Sequence, residues 1–400
     1  MTMARAASAV FDVAVAGAGP AGSATARWLA LRGATVALIE CTDFAEPRIG
    51  ESLAPAVQPW IAKLGLWREF VDLGPLRSFG TRSCWGEESL SVHSHLMSPW
   101  GCGWHVDRRA LDRMFAEGAC RAGAMAFSRT TVVACDPEPS GWRLALREGG
   151  GRSEAASRTV SARVLIDATG RAARCASRLG ARRLLLDRLV AIAVRFEGVA
   201  VERECNVLVE ASPDGWWYSA PVPGGGMVAM LMTDSDLCRR QRAASVEPWE
   251  SLLAAAPLTS ARVHGARRVT APVVYSAASQ RLCRPHCRQP WIAVGDAALA
   301  VDPISGSGVI RALQTAWSGA ETAYALLGEG SGDAIARYEA RRDLECTRYL
   351  EERALYYGQE SRWPRASFWA RRGAGREALR YNGAHEGPIV PDPPCPLALA

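Results

Sequence analysis

Four short stretches carry the groups most able to bind or react. The first, "GAGPAG" (Gly17–Gly22), spaces its glycines as G-x-G-x-x-G between an apolar run and a helix-patterned segment. Gly17 permits a tight turn, Gly19 lets the backbone approach a pyrophosphate, and Gly22 lets a helix pack close on the strand. The N–H groups of the helix's first turn, Ala21 among them, then face the phosphates. Glu40 closes the next apolar run, "ATVALIE", about 20 residues on, where an acid can bond a ribose hydroxyl. Strand, glycine turn, helix and terminal acid in that order specify a dinucleotide site.

The second and third stretches distinguish between dinucleotides. "ARVLIDATG" (Ala162–Gly170) ends an apolar run in Asp167 and a Thr-Gly turn. "WIAVGDAALAVDPISGSG" (Trp291–Gly308) carries Asp296, then a second glycine-rich turn that opens a long amphipathic helix. Asp296 stands where a carboxylate accepts from a ribityl hydroxyl. The turn containing Pro303, Gly306 and Gly308 can offer helix N–H groups to negative charge on a flavin ring. An enzyme that needs only NAD has no evident use for a second such turn so far along the chain, so the order favours FAD.

The fourth stretch is "GWWYSAP" (Gly215–Pro221). On a strand Trp216 and Tyr218 share one face and Trp217 takes the other. With Trp85, Trp100 and Trp104 they are candidates for the walls of a dry aromatic cavity. His105, in "GWHVDRR", is an acid/base candidate because imidazole titrates near neutrality. Its other reading is a histidine that bonds a backbone carbonyl under the cofactor. Glu51, in "IGESLAP", either orients the cofactor's surroundings or caps the next helix. His93 and His95 alternate in "SVHSH" and are assigned to the surface rather than to the substrate mouth.

Positioning these groups takes an α/β scaffold: a Rossmann-like FAD-binding domain with an inserted antiparallel β-sheet substrate domain and C-terminal helices. The FAD-binding parts are expected at 1–75, 103–180 and 276–330. Residues 76–102 and 181–275 would build the substrate sheet, and 331–400 a helical region and tail. Within the insert, Leu189–Asp234 alternates like consecutive strands, with "PGGG" (Pro223–Gly226) as a hairpin turn. A helix is expected from Gly332 until Pro364 breaks it, and a poorly ordered tail at Pro391–Ala400.

The chain has 400 residues, 48% of them hydrophobic, enough for two domains. A net charge of +6 with no basic element argues against nucleic acid. Lys63 is the only lysine, so almost nothing here can serve as a catalytic amine. Twelve scattered cysteines read as free thiols of a reducing cytosol, with Cys84, Cys120 and Cys205 in buried settings. "CRPHC" (Cys283–Cys287) lacks a second pair at zinc spacing, so no metal is expected. No run reaches a membrane span, and the expected location is cytoplasmic.

With these segments in order, the chain resembles the flavoprotein monooxygenases of the p-hydroxybenzoate hydroxylase fold, in the branch that includes the tryptophan halogenases. The resemblance rests on "GAGPAG", "IGESLAP", "GWHVDRRALDRMF", "DATG" and "GDAALAVDPISGSG". It implies FAD held by Gly17, Gly19, Gly22 and Glu40, with contacts from Arg108 and Asp296. It also implies that the turn around Pro303, Gly306 and Gly308 lies beside the flavin ring and that Gly50 and Ser52 face the same ring from another side. Where halogenases carry W-x-W-x-I-P, this sequence has "WWYSAP". Where they carry an active-site lysine, it has "RSFGTRSCWG" (Arg77–Gly86), and neither Arg77 nor Arg82 readily loses a proton. Its aromatic stretches resemble instead the flavoprotein maturases that hydroxylate tryptophan while building a peptide-derived quinone cofactor.

The resulting expectation is an FAD-dependent monooxygenase that hydroxylates an indole-type substrate, free or within a peptide, through a flavin C4a-hydroperoxide. Its candidate catalytic residues are His105, Glu51 and Tyr218, and its candidate substrate contacts are Trp85, Trp104, Trp216 and Tyr218. Electrons would come from NAD(P)H or a partner flavin reductase. Halogenation of an aromatic substrate, an FAD-dependent reductase or oxidase, and a binding module that keeps FAD without turnover are the competing readings.

Overall fold

The computed structural model describes residues 9–149, 157–199, 205–285, 287–328 and 333–373. The apolar run Ala9–Ala16 forms a strand paired in parallel with Val36–Ile39 on one side and Ser157–Asp167 on the other. Met125–Phe127 extends the sheet beyond Val36–Ile39, and Trp291–Ala293 lies parallel to the end of Ser157–Asp167. The hairpin Thr130–Glu138 and Gly141–Glu148 completes it with antiparallel pairs. Val36–Ile39 is buried at every position, as a strand covered on both faces must be. One face carries the helices Pro20–Leu31, Arg108–Arg121 and Gly308–Leu327, which bury Leu29, Leu111, Phe115 and Leu313 together.

A second, eight-stranded sheet takes strands from two distant parts of the chain. Its order runs from Arg267–Arg268 through Leu189–Glu197, Gly226–Asp234, Gly215–Val222, Val207–Ser212 and Gly80–Cys84 to Ser91–Ser94, with Val273–Ser276 also on Leu189–Glu197. The pairing is not uniformly antiparallel: Val207–Ser212 lies parallel to Gly80–Cys84. Gly80–Cys84 belongs to an earlier segment, so it meets Val207–Ser212 by a crossover that no hairpin constrains. The Pro223–Gly226 turn needs its glycines, since Gly224 and Gly225 sit at φ +89° and +79°.

Both faces of this sheet are covered. Trp216 joins one core with Val228, Met230 and Met232, while Trp217 joins the other against Trp249, ring centroids 5.3 Å apart. The helix Ala334–Gln359 stops before Pro364 is reached. Glu360 turns extended there, and its carboxylate bonds Gly86 N and Arg362. A further helix, Ser367–Gly373, then buries Phe368 and Trp369 in the Trp216 core. Arg371 and Arg372 lock it to Asp234 at 2.6 and 2.8 Å. The tail Pro391–Ala400 lies outside the described residues.

Among the described residues no helix is long and apolar enough to cross a membrane, and no three ligating side chains cluster for a metal. His286 of "CRPHC" lies outside them. Of the thiols expected in buried settings Cys84 is buried, Cys205 half-buried and Cys120 exposed.

Candidate functional site

A cavity of about 620 Å³ runs from the Gly17–Ala21 turn, past Gly50 and Gly306, to the face of the second sheet that carries Trp216. At its first end the glycines are required by close approach. Gly17 has φ +101°, and a Cβ there would meet Ala168 O at 2.3 Å. A Cβ on Gly22 would lie 1.8 Å from Gly17 O, so Gly22 packs on the turn and does not line the cavity. A Cβ on Gly19 would meet nothing within 4 Å, and the helix beginning at Pro20 has no side-chain cap. Its first-turn N–H groups are therefore available to an anion. Glu40 braces this turn. Its carboxylate accepts from Ala18 N at 2.8 Å and from Thr42 Oγ1 at 2.7 Å while still lining the cavity.

The middle of the cavity is shaped by interlocking loops. Gly50 sits at φ +99°, and a Cβ would strike the Arg108 guanidinium at 2.5 Å. Arg108 Nη1 donates to Ile49 O at 2.7 Å and pairs with Asp112 at 3.2 Å, so the loop and the helix bearing Arg108 are fixed together. Asp296 lines the cavity 3.4 Å from Arg171 Nε. Pro303, Gly306 and Gly308 line it as well. Asp302 caps their turn through Ile304 N at 2.9 Å and accepts from Tyr357 Oη at 2.8 Å.

The far end is a chamber built by register. Trp216 pairs with Met232 and Tyr218 with Met230 across adjacent strands, so all four side chains face the cavity. Ser52, Ser78, Thr81 and His95 supply its polar edge. Tyr218 Oη donates to Ser52 Oγ at 2.7 Å, and Ser52 Oγ lies 2.9 Å from His105 Nδ1. His105 Nε2 in turn is 3.1 Å from Cys205 O. Trp216 Nε1 donates to Tyr357 Oη at 3.0 Å, which ties the chamber wall to Asp302.

A family profile described as FAD binding domain matches residues 10–353. The chain belongs to this FAD-binding family. It is 28% identical over 366 residues to LodB of Marinomonas mediterranea, named as an FAD-dependent oxidoreductase, covering 91% of this chain and 97% of that one. Its fold matches the myxobacterial chondrochloren halogenase CndH, with a TM-score of 0.83, 24% identity and coverage of 94% and 90%. It also matches the peptidyl tryptophan dihydroxylase QhpG, with a TM-score of 0.71, 24% identity and coverage of 91% and 79%. The flavoprotein is thus an oxidoreductase built on a fold that flavin halogenases and a hydroxylase share.

The residues present fit FAD. An uncapped helix terminus, the open space at Gly19 and the Glu40 carboxylate suit its adenosine diphosphate half. The second glycine turn and the Gly50–Ser52 loop flank the remainder of the cavity.

Several expected roles are corrected by position. Asp167 does not line the cavity. It is fully buried and accepts from Thr169 N, Thr169 Oγ1 and Ala176 N, which makes it the brace of its turn. Burial pushes its carboxyl up from the usual range, and these bonds oppose the shift. Glu51 is also fully buried, 3.3 Å from Arg195 and bonded to Gly50 N, so it supports the loop from behind. Burial pushes its carboxyl up as well. His105 lies behind Ser52, not in the cavity, and burial lowers it to about 4.

The tryptophans divide in the same way. Trp104 points away from its buried neighbours Gly103 and His105 and packs on Trp67 and Phe70. Trp85 lies past the end of its strand, donates to Tyr356 O, and packs on Trp216, Tyr357 and Trp369. Trp100 is exposed.

Sequence reasoning missed other members of the site. His95 lines the chamber, whereas its alternate neighbour His93 is exposed. The methionines would have been legible from alternation in "MVAMLMTD" once the register to "GWWYS" was known. Ser78 and Thr81 carry no sequence signal. Lys63 lies on its helix with Nζ 3.4 Å from the Trp317 ring centroid, outside the cavity.

Proposed function

We propose that this flavoprotein is a monooxygenase that hydroxylates an electron-rich aromatic substrate of indole type, either free or as a tryptophan side chain in a peptide. The observation that carries the reading is the chamber itself. Trp216, Met230 and Met232 form an apolar wall that continues from the flavin-facing turn, and the chain's only lysine is elsewhere. The flavin, when bound and reduced, supplies the activation of dioxygen. The protein's part is to exclude water with that wall, to hold the ring against it, and to orient polar atoms through Ser52 and Tyr218. The likeness in fold to a peptidyl tryptophan dihydroxylase supports the substrate class.

Halogenation is disfavoured on chemical grounds. A hypohalous acid held as a haloamine needs a nucleophilic amine, and the guanidinium groups at the cavity stay protonated and cannot supply one. Reduced protein supplied with ¹⁸O₂ and a tryptophan-containing peptide or free indole should give a product one labelled oxygen heavier. A brominated product in the presence of bromide, or reduction of an alkene without oxygen uptake, would refute the proposal. Whether NAD(P)H or a reductase delivers the electrons is read by starting instead from oxidised protein and supplying each alone.

A further inference from the structure

The polarity of one hydrogen-bond chain decides what Tyr218 offers the chamber. A backbone carbonyl only accepts, so the 3.1 Å contact between His105 Nε2 and Cys205 O places a hydrogen on Nε2. His105 is held neutral because burial lowers it to about 4, so its Nδ1 is a lone pair. Ser52 Oγ, 2.9 Å away, must therefore donate to Nδ1. Ser52 has a single hydroxyl hydrogen, now committed. The 2.7 Å contact with Tyr218 can be made only if the phenol donates inward. The tyrosine's hydrogen is then committed to Ser52, so toward a substrate its oxygen can only accept. Its cross-strand neighbours Met230 and Val209 offer that oxygen no donor, and the Ser52 backbone N–H beside it leaves room for one more.

We infer that Tyr218 is a specificity-determining acceptor that takes a hydrogen bond from an N–H or O–H on the substrate's aromatic ring. Ser52 and His105 act as positioning residues that fix its polarity. The inference rests on the aromatic-substrate reading above and adds which edge of the ring is recognised. The same chain argues against His105 as a store for the substrate's proton. A proton passed inward would have to reside on an imidazole that burial keeps neutral.

Two probes of nearly one shape test this, indole and benzothiophene, which lacks the N–H. Binding to the FAD-loaded protein is followed by the change in the flavin's visible spectrum, so no turnover is needed. The wild-type protein should favour indole by about tenfold, one neutral hydrogen bond's worth. Tyr218→Phe should bring the ratio near one while leaving benzothiophene binding in place. Ser52→Ala frees the phenol hydrogen to turn into the chamber and should also erase the preference, and Ser52→Thr should restore it. A variant that merely disturbed the fold would weaken both probes together. If both probes bind and the indole preference survives in Tyr218→Phe, the inference is overturned and the substrate reading stands. If neither probe perturbs the flavin, the aromatic-substrate reading falls, and the inference falls with it.

Discussion

Replacing His105 with glutamine should flatten the acid side of the protein's stability profile. The imidazole is fully buried, and its folded value of about 4 lies below the ordinary 6.5. Below about pH 6.5 the unfolded chain takes up a proton that the folded chain refuses, so stability falls as pH drops and levels off below about pH 4. The full span corresponds to about 3 kcal/mol, and roughly 1 kcal/mol of it is lost by about pH 5.5. Buried Glu51, Asp167 and Asp302 are pushed upward, also by burial. They act in the opposite sense, favouring the folded state at low pH and losing that effect as pH rises through their folded values. These groups are common to both proteins and cancel in the difference between them. Chemical denaturation of FAD-saturated wild type and His105→Gln between about pH 5 and pH 8 isolates the histidine. The wild type should lose roughly 1–2 kcal/mol more than the variant on going to the acid end. Parallel profiles would show that His105 protonates freely in the folded state, which would remove the basis for the polarity assigned to Tyr218.

Three further outcomes follow from contacts at the site. Gly22→Val should abolish FAD retention, because even a Cβ would lie 1.8 Å from Gly17 O, and the bound-flavin absorbance after gel filtration reads this directly. Lys63→Met should keep full oxygenation activity and lose at most about 1 kcal/mol of stability, the scale of the cation–π contact with Trp317; loss of activity would return the lysine to the mechanism. Tyr357→Phe should cost about 2–4 kcal/mol, since it strips partners from both the Trp216 indole and the buried Asp302 carboxylate. That variant should also shift the bound flavin's spectrum, because Asp302 caps the turn beside it.

Local signals made the dinucleotide half of the site legible. Glycine spacing, a strand-ending acid and two glycine turns act within a few residues of their own positions, and the structure places Gly17, Gly19, Glu40, Asp296 and Gly306 along one cavity. Period-two alternation likewise separated Trp216 from Trp217, which went to opposite cores. What the sequence hid depends on partners far away in the chain. The motifs left Glu51 and His105 open between chemistry and support, and distant Arg195 and Cys205 make both buried supports, whereas Asp167 is turned into a brace by its nearer neighbour Ala176. Trp85 and Trp104 were misplaced for a related reason. Their rings are claimed by Trp369 and Trp67, whose packing no local pattern reveals. The parallel pairing of Gly80–Cys84 with Val207–Ser212 is equally non-local, and it is this pairing that brings Thr81 to the chamber.

The central claim, that a reduced flavin here activates oxygen for transfer to an aromatic ring, is tested most directly by rapid mixing. Protein with bound flavin is reduced without oxygen, mixed with oxygenated buffer, and followed in the near ultraviolet. A transient species that precedes the oxidised flavin, and that decays faster when indole or a tryptophan-containing peptide is present, is the predicted result. Direct return to oxidised flavin in a single phase, unchanged by either substrate, would contradict the account and favour an oxidase or reductase.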